Sequence, residues 1–164
     1  MCASLDAEKI SYFEEDMTDF SLHKPADVVL CICDSMNYLL STEEIFAMFR
    51  CIKEALAEDG VAILDMKTAY CFQKVMGNQT RVDETEEALM IWDNTYDEET
   101  CINEYLLTIF TEDKATGMYA RYDECHEQRA YTEDEIKSCL KETSLRLVKS
   151  WTEDEVRTYF VIQR

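Results

Sequence analysis

The apolar positions of residues 27–56 predict a strand followed by a helix. Val28 to Ile32 form an unbroken apolar run with polar residues on both sides, which is typical of a strand buried on both faces. Ser41 and Glu44 have the spacing of a capping box. Apolar residues then follow at helical spacing, namely Ile45, Met48, Phe49, Ile52 and Leu56. Gly60 is interpreted as the residue of positive φ that often follows a helix end.

Two further segments complete the prediction for the first half of the chain. Residues 61–66 form a second short apolar run, so the order strand, helix, strand predicts a parallel crossover. Residues 9–17 alternate enough to predict an earlier strand that ends in an acidic cluster. The polar residues directly after residue 32 then lie at the carboxyl end of the central strand, where open α/β sheets bind their ligands.

The pattern changes between about Ala88 and Arg129 into segments rich in aromatic and β-branched residues, which predict an antiparallel meander. The charged stretches 80–87 and 97–100 are interpreted as solvated loops. Thr132 and Glu135 form a second capping-box pattern that opens a helix. Residues 145–151 and 157–164 predict two final strands.

Length and charge then limit the classes of protein. The 164 residues, 47% of them hydrophobic, suit one domain with one core. Thirty-five acidic residues against sixteen basic ones give a formal charge of −19, which repels phosphate backbones and anionic membranes. We therefore expect neither nucleic acid nor a membrane as a partner.

The cellular compartment is predicted from segments and cysteines. No apolar segment approaches the ~20 residues that span a bilayer, and the first sixteen residues lack the pattern of a signal peptide. The eight cysteines are scattered with no CxxC pair, which favours free thiols in a reducing, cytoplasmic compartment. Cys31 and Cys33 share one strand face, but a metal there needs other converging ligands, so we expect no metal site.

The order of motifs resembles that of the class I S-adenosylmethionine-dependent methyltransferases, over nearly the whole chain. The similarity is greatest to bacterial members that carry an antiparallel insertion between the fifth strand and the last helix. It rests on "ISYFEEDMTDF", "ADVVLCICDSMNYLLSTEE", "IKEALAEDGVAILDMKT", "ECHEQRAYTEDEI" and "RTYFVIQR". The resemblance implies an α/β fold with a partial Rossmann-like sheet, residues 1–164 as one domain, and an antiparallel β insertion at residues 88–130.

One element of the family pattern is missing. Such enzymes begin with a strand, a glycine-rich turn that lets the backbone approach the cofactor, a helix, and a second strand that ends in an acidic residue. The three glycines of this chain, Gly60, Gly77 and Gly117, all lie downstream of that position. We therefore expect a truncated form that lacks the first βαβ unit and binds the cofactor weakly or not at all.

The resemblance implies S-adenosyl-L-methionine as the cofactor and assigns four residues to it. Asp16 and Met17 match the position where family members contact the adenine, and a carboxylate suits an exocyclic amino group because it only accepts. Cys33 and Asp34 match positions that flank the cofactor. The alternatives remain open: Asp16 as a solvated strand end, Cys33 as a core residue, and Asp34 as a turn former.

Four further residues are candidates for chemistry and substrate binding. By resemblance, Tyr38 and Asn37 face the methyl group and the substrate, although capping and packing also account for such a pair. His126 and Arg129 match an insertion strand over the active site, His126 as the catalytic group and Arg129 as a substrate contact. Residues three apart on a strand point to opposite faces unless the strand bends.

Two functions follow as hypotheses. The first is methyl transfer from S-adenosylmethionine to a small-molecule acceptor, with this chain as a truncated form. The second is a catalytically inactive methyltransferase-like module that binds or regulates. Because the missing strands leave an apolar edge, we also expect residues 9–17 to fold back beside residues 27–33, or the edge to pair in a homodimer.

Overall fold

The computed structural model describes residues 10–164, which form two four-stranded sheets and two α-helices. The elements are β1 Ala26–Cys31, α1 Thr42–Ala55, β2 Leu56–Lys67, β3 Gln79–Glu84, β4 Ala88–Asp97, β5 Ile102–Asp113, β6 Met118–Arg129, α2 Glu133–Thr143, β7 Arg146–Glu153 and β8 Arg157–Gln163. A 3₁₀ turn at Ser35–Tyr38 follows β1, and a π-helical turn at Cys71–Met76 follows β2. Within this range, no helix is long and apolar enough to cross a membrane.

The first sheet has the strand order β1-β2-β8-β7. β1 and β2 are parallel and joined through α1, which confirms the predicted strand, helix, strand unit. β8 runs antiparallel to both β2 and β7, so the last strand of the chain lies inside the sheet. The fold class is therefore the predicted α/β sheet with an added antiparallel sheet.

One face of the first sheet carries the main core, because both helices pack against it. Phe49 of α1, Leu64 of β2, Ile136 of α2 and Phe160 of β8 are fully buried there. Both helices begin with the predicted capping boxes, in which a hydroxyl and a glutamate satisfy each other's backbone N–H groups. The sequence patterns around Ser41 and Thr132 are confirmed.

The opposite face of the first sheet is apolar and uncovered, so the prediction of a strand buried on both faces is wrong. On β1, 55% of Val28 and 59% of Leu30 are exposed. The register places these two beside Val61 and Ile63 of β2, both partly exposed. We call this surface, continued by Val161, Tyr159 and Trp151, the open face. The apolar run therefore predicted the strand correctly, but it did not show whether one or both faces of the strand are covered by other elements.

The predicted strand at residues 9–17 is not present over residues 10–17, where only an isolated bridge joins Asp16 to Asp19. Lys9 lies outside the described residues. Across residues 10–164, β1 pairs with β2 alone, so the expected folding back of residues 9–17 along its free edge is wrong for that part. Asp16 instead closes a local turn by accepting from the Thr18 backbone and hydroxyl.

Gly60 does not end α1, and this interpretation is also wrong. The helix ends at Ala55 and the chain continues directly into β2, where the register with β1 shifts between Ala26 and Val28. A Cβ at Gly60 would lie 3.0 Å from the carbonyl oxygens of Ala26 and Ala57. Glycine is needed here for close backbone approach.

The second sheet is antiparallel, with the order β3-β4-β5-β6, and is wider than the expected segment 88–130. Its first strand, Gln79–Glu84, includes part of the charged stretch 80–87 that was interpreted as a loop, and that interpretation is wrong. All six residues of β3 are exposed, so pairing with β4 rather than burial holds the strand. A small core of Phe72, Tyr96 and Ala130 lies beneath this sheet.

Candidate active site

A charged network occupies the carboxyl end of β1 and β2, centred on Asp34. One carboxylate oxygen of Asp34 accepts from Arg157 Nη2 at 2.7 Å. The other is 2.9 Å from Lys67 Nζ and 3.0 Å from Gln128 Nε2. Arg157 also donates to Asp65 at 2.6 Å, and Asp65 accepts from the Asp34 backbone N–H at 2.8 Å. Two carboxylates thus face two cations, and the network joins β2, β6 and β8.

The protonation of Asp34 follows from this network. Burial raises the pKa of the carboxyl, but hydrogen bonds from Lys67, Arg157 and Gln128 outweigh burial and lower it below its ordinary value. Asp34 is therefore ionised at neutral pH, and both oxygens bind protein groups. The Asp34 carboxylate fixes the end of β1 through its ion pairs. The backbone of Asp34 lies in a turn, in agreement with the alternative that Asp34 is a turn former.

The chain turns sharply after β1. Cys33 and Asp34 both have left-handed backbone angles, with φ of 62° and 55°, which cost energy in residues other than glycine. The Asp65 carboxylate and the Asp34 ion pairs hold this turn in place. The turn leads into the 3₁₀ segment, which buries Asn37 and leaves Tyr38 41% exposed.

Tyr38 and His126, the two predicted catalytic residues, meet in the structure. The Tyr38 hydroxyl lies 3.1 Å from His126 Nδ1 and 2.6 Å from the Tyr105 hydroxyl. His126 Nε2 lies 3.1 Å from a carboxylate oxygen of Glu124. A tyrosine from the first sheet's edge is therefore linked to a histidine and a carboxylate from the second sheet.

The chemistry of these partners sets the direction of the hydrogen bonds. An ionised carboxylate only accepts, so Nε2 of His126 donates to Glu124. In the neutral ring this leaves Nδ1 as an acceptor for the Tyr38 hydroxyl. Burial, the hydrogen bond to Tyr38 and nearby acidic groups raise the pKa of Tyr105, so Tyr105 stays protonated and donates to Tyr38.

Three aromatic rings extend this group across the second sheet. Trp92 stacks on Tyr105 with ring centroids 4.5 Å apart, and Tyr105 stacks on His126 at 4.6 Å. The three residues come from β4, β5 and β6, and we call them the aromatic row. The stacking fixes the orientation of the His126 ring toward Tyr38.

Asn37 and Arg129, the predicted substrate contacts, are occupied by protein groups. The buried Asn37 amide donates to the backbone carbonyl of Arg129 at 2.8 Å, and its oxygen accepts from the Lys67 backbone N–H at 2.8 Å. The Arg129 guanidinium pairs with Glu135 at 2.8 Å and lies over the Tyr131 ring. Both residues therefore hold the two sheets and α2 together in this structure.

The predicted cofactor residues Asp16 and Met17 line an open cavity of about 530 Å³ along β1. Leu30 of β1 and Ile32, the residue directly after β1, form another wall, and Ser35 closes the end near the 3₁₀ turn. Cys33 is exposed beside the same turn. The sequence-predicted residues thus form two groups, one along the free edge of β1 and one where Tyr38 meets His126.

Several residues of this region were not predicted from the sequence: Asp65, Lys67, Tyr105, Glu124, Gln128 and Arg157. Several of them lie within the segments that carry the resemblance, but none was assigned a role there, since each is a single polar residue of a strand. The alternation of polar residues at the ends of β2 and β8 is the one signal that could have identified Asp65 and Arg157.

Comparison of sequences identifies one relative at 30% identity. The chain matches a "Putative methyltransferase" of Geobacillus sp. strain WCH70 over 163 residues, 94% of this chain and 66% of the relative. No protein-family model matches the chain. The chain therefore spans slightly less than two thirds of the length of this relative.

Comparison of structures gives the same fold. An S-adenosylmethionine-dependent methyltransferase from Clostridium acetobutylicum ATCC 824 superposes with a TM-score of 0.81 at 24% identity, covering 91% of this chain and 62% of that one. The sugar N-methyltransferase KedS8 from Streptoalloteichus sp. ATCC 53650 gives 0.72 at 18% identity, covering 92% and 60%. These similarities show the fold.

Proposed function

Since this chain has the class I S-adenosylmethionine-dependent methyltransferase fold and is related in sequence to that family, we propose that it belongs to an enzyme that methylates a small molecule. The observation that carries the proposal is the contact of Tyr38 with His126 at the carboxyl end of β1. This is the edge where open α/β sheets bind ligands. It unites a phenol and an imidazole that are 88 residues apart in sequence.

The residues along β1 fit part of the proposed cofactor, S-adenosylmethionine. The pKa of Asp16 is lowered by hydrogen bonds from Thr18, so its carboxylate is ionised and exposed. One oxygen receives both Thr18 bonds, and a carboxylate suits the amino group of the adenine because it only accepts. None of the three glycines lies at a strand-to-helix turn that would cradle the rest of the cofactor. The fit is therefore to the adenine side.

The chain's own residues would handle the proton of the acceptor. The cofactor, when bound, supplies a methyl group that already carries its leaving group, so positioning and proton removal are the tasks left to the protein. The exposed Tyr38 hydroxyl can accept a proton from an amine or hydroxyl while passing its own to His126 Nδ1. Glu124, which is hydrogen-bonded to Nε2 of His126, stabilises the imidazolium that forms.

A cytoplasmic location agrees with the cysteines. The support is the sequence itself, in which eight cysteines are scattered with no CxxC pair, as is typical of proteins in a reducing compartment. The acceptor in this proposal is a small molecule rather than nucleic acid or a membrane, in keeping with the formal charge of −19.

Calorimetric titration with S-adenosylmethionine tests the proposal. We expect weak binding that is weakened further by Asp16→Asn and unchanged by Asp19→Asn, a neighbouring exposed aspartate of the same turn. Low-micromolar affinity with one site per chain would show that the residues of this chain form a complete pocket. No binding to the wild-type chain, or equal effects of both variants, would favour the alternative of an inactive methyltransferase-like module.

A further inference from the structure

A second cavity, of about 300 Å³, lies between the π-helical turn and the strands β3 and β4. Trp92, Arg81 and Asn94 line it from the sheet, and Met76 and Lys67 from the other side. Its volume is at the lower end of the range for small-molecule sites. The cavity is separate from the one along β1, which is lined by different residues.

This cavity is joined to the catalytic candidates through the aromatic row. Trp92 lines the cavity and stacks on Tyr105, whose hydroxyl is 2.6 Å from that of Tyr38. A molecule in the cavity therefore lies against the same row of side chains that holds His126 in place.

The charged residues that line the cavity are mostly basic, whereas the chain as a whole is acidic. The chain has sixteen basic residues against thirty-five acidic ones, yet two of the charged residues that line the cavity, Lys67 and Arg81, are basic and one, Asp83, is acidic. Lys67 is paired with Asp34. Among residues 10–164, the one recorded partner of the Arg81 guanidinium is the Val75 backbone carbonyl, so Arg81 has donors left for a ligand.

We propose that this cavity is a separate binding site for a small ring compound with an anionic group such as a carboxylate. The Arg81 guanidinium matches a carboxylate in geometry and charge. Trp92, Met76 and Met90 offer apolar contact to the ring.

Fluorescence of Trp92 tests the proposal without any cofactor. The chain has two tryptophans, so Trp151→Phe leaves Trp92 as the single reporter. The probes are benzoate and its neutral isostere benzamide. We expect saturable changes in emission with a midpoint about tenfold lower for benzoate, which corresponds to about 1.4 kcal/mol.

Three variants in the same background locate the effect. Arg81→Gln should abolish the preference for benzoate, and Arg81→Lys should retain part of it, which separates loss of charge from misfolding. Arg121→Gln removes an exposed arginine of the same sheet, paired with Asp123, and should leave the preference unchanged. Equal midpoints for the two probes, no saturation by either, or equal losses in Arg81→Gln and Arg121→Gln would overturn the proposal. Because no cofactor is present, failure of S-adenosylmethionine binding leaves this result intact.

Discussion

Asp34 holds together strands from both sheets, and its ionisation contributes to stability in a defined pH range. Its folded pKa is lowered, so its stabilising effect is complete above the unfolded pKa of about 3.9 and is lost as pH falls through the folded pKa. We expect Asp34→Asn to lower the free energy of unfolding by about 2 kcal/mol at neutral pH, because Lys67 and Arg157 lose a charged partner.

The measurement is urea unfolding of both proteins from pH 7 to pH 2. The wild type should lose more stability than Asp34→Asn below about pH 5, so the two curves converge in acid. Asp154→Asn, at a fully exposed turn, serves as the control for charge alone. Parallel curves for wild type and Asp34→Asn would contradict the role given to the network.

His126 is expected to act on the proton rather than on the cofactor. In a polypeptide competent for methyl transfer, His126→Ala should lower turnover by about a hundredfold, the usual contribution of a general base, with a smaller change in cofactor affinity. His23→Ala, the one other histidine of the chain and an exposed one, is the matched control. Loss of cofactor affinity with unchanged turnover would remove His126 from the site.

For single residues, local motifs could be read from the sequence, whereas contacts between distant residues could not. Tyr38 and His126 were predicted as catalytic residues from a resemblance in local motifs, and each motif is short enough to be read from the chain. Arg157 was not, because its partner Asp34 lies 123 residues away and no local pattern encodes such a pair. Asn37 was predicted as a substrate contact by resemblance, with packing as the alternative, because the sequence does not show that its amide binds backbone groups of Lys67 and Arg129.

At the scale of elements, the capping boxes are expected to account for part of helix stability. Ser41→Ala should lower the free energy of unfolding by about 1 kcal/mol, since the backbone N–H of Glu44 then loses its acceptor. Ser138→Ala, the same substitution at an exposed position within α2, should be neutral or slightly stabilising because alanine has the higher helix propensity. Thermal or urea unfolding of both variants gives the comparison, and equal effects would mean that the box contributes nothing.

The helices and most strands were predictable because their patterns are local. The capping boxes, the apolar spacing of α1 and the branched residues of β8 each favour one structure. β3 was missed because all its side chains are exposed and its strand form depends on β4. Gly60 was misread because close approach to Ala26, a tertiary contact, determines the need for glycine.

For the whole molecule, the open face and the free edge of β1 favour self-association. We propose a homodimer through this surface, since an apolar strand with unpaired backbone groups is a template for pairing. Light scattering coupled to size exclusion should show a dimer, and hydrogen exchange at residues 28–32 should be slow. Leu30→Lys should give a monomer, whereas Val82→Lys, at a site of equal exposure, should not: the exposed fractions are 59% and 60%. A monomer with fast exchange along β1 would contradict the proposal.

The strand order of the first sheet has a consequence for how the protein is made. β8 is the last strand of the chain, yet it lies between β2 and β7. During synthesis β2 therefore leaves the ribosome long before β8, its neighbour in the sheet. The side chains of Ile63 and Leu64 keep apolar surface exposed while the whole second sheet is translated. Such late closure between distant segments is slow and prone to aggregation.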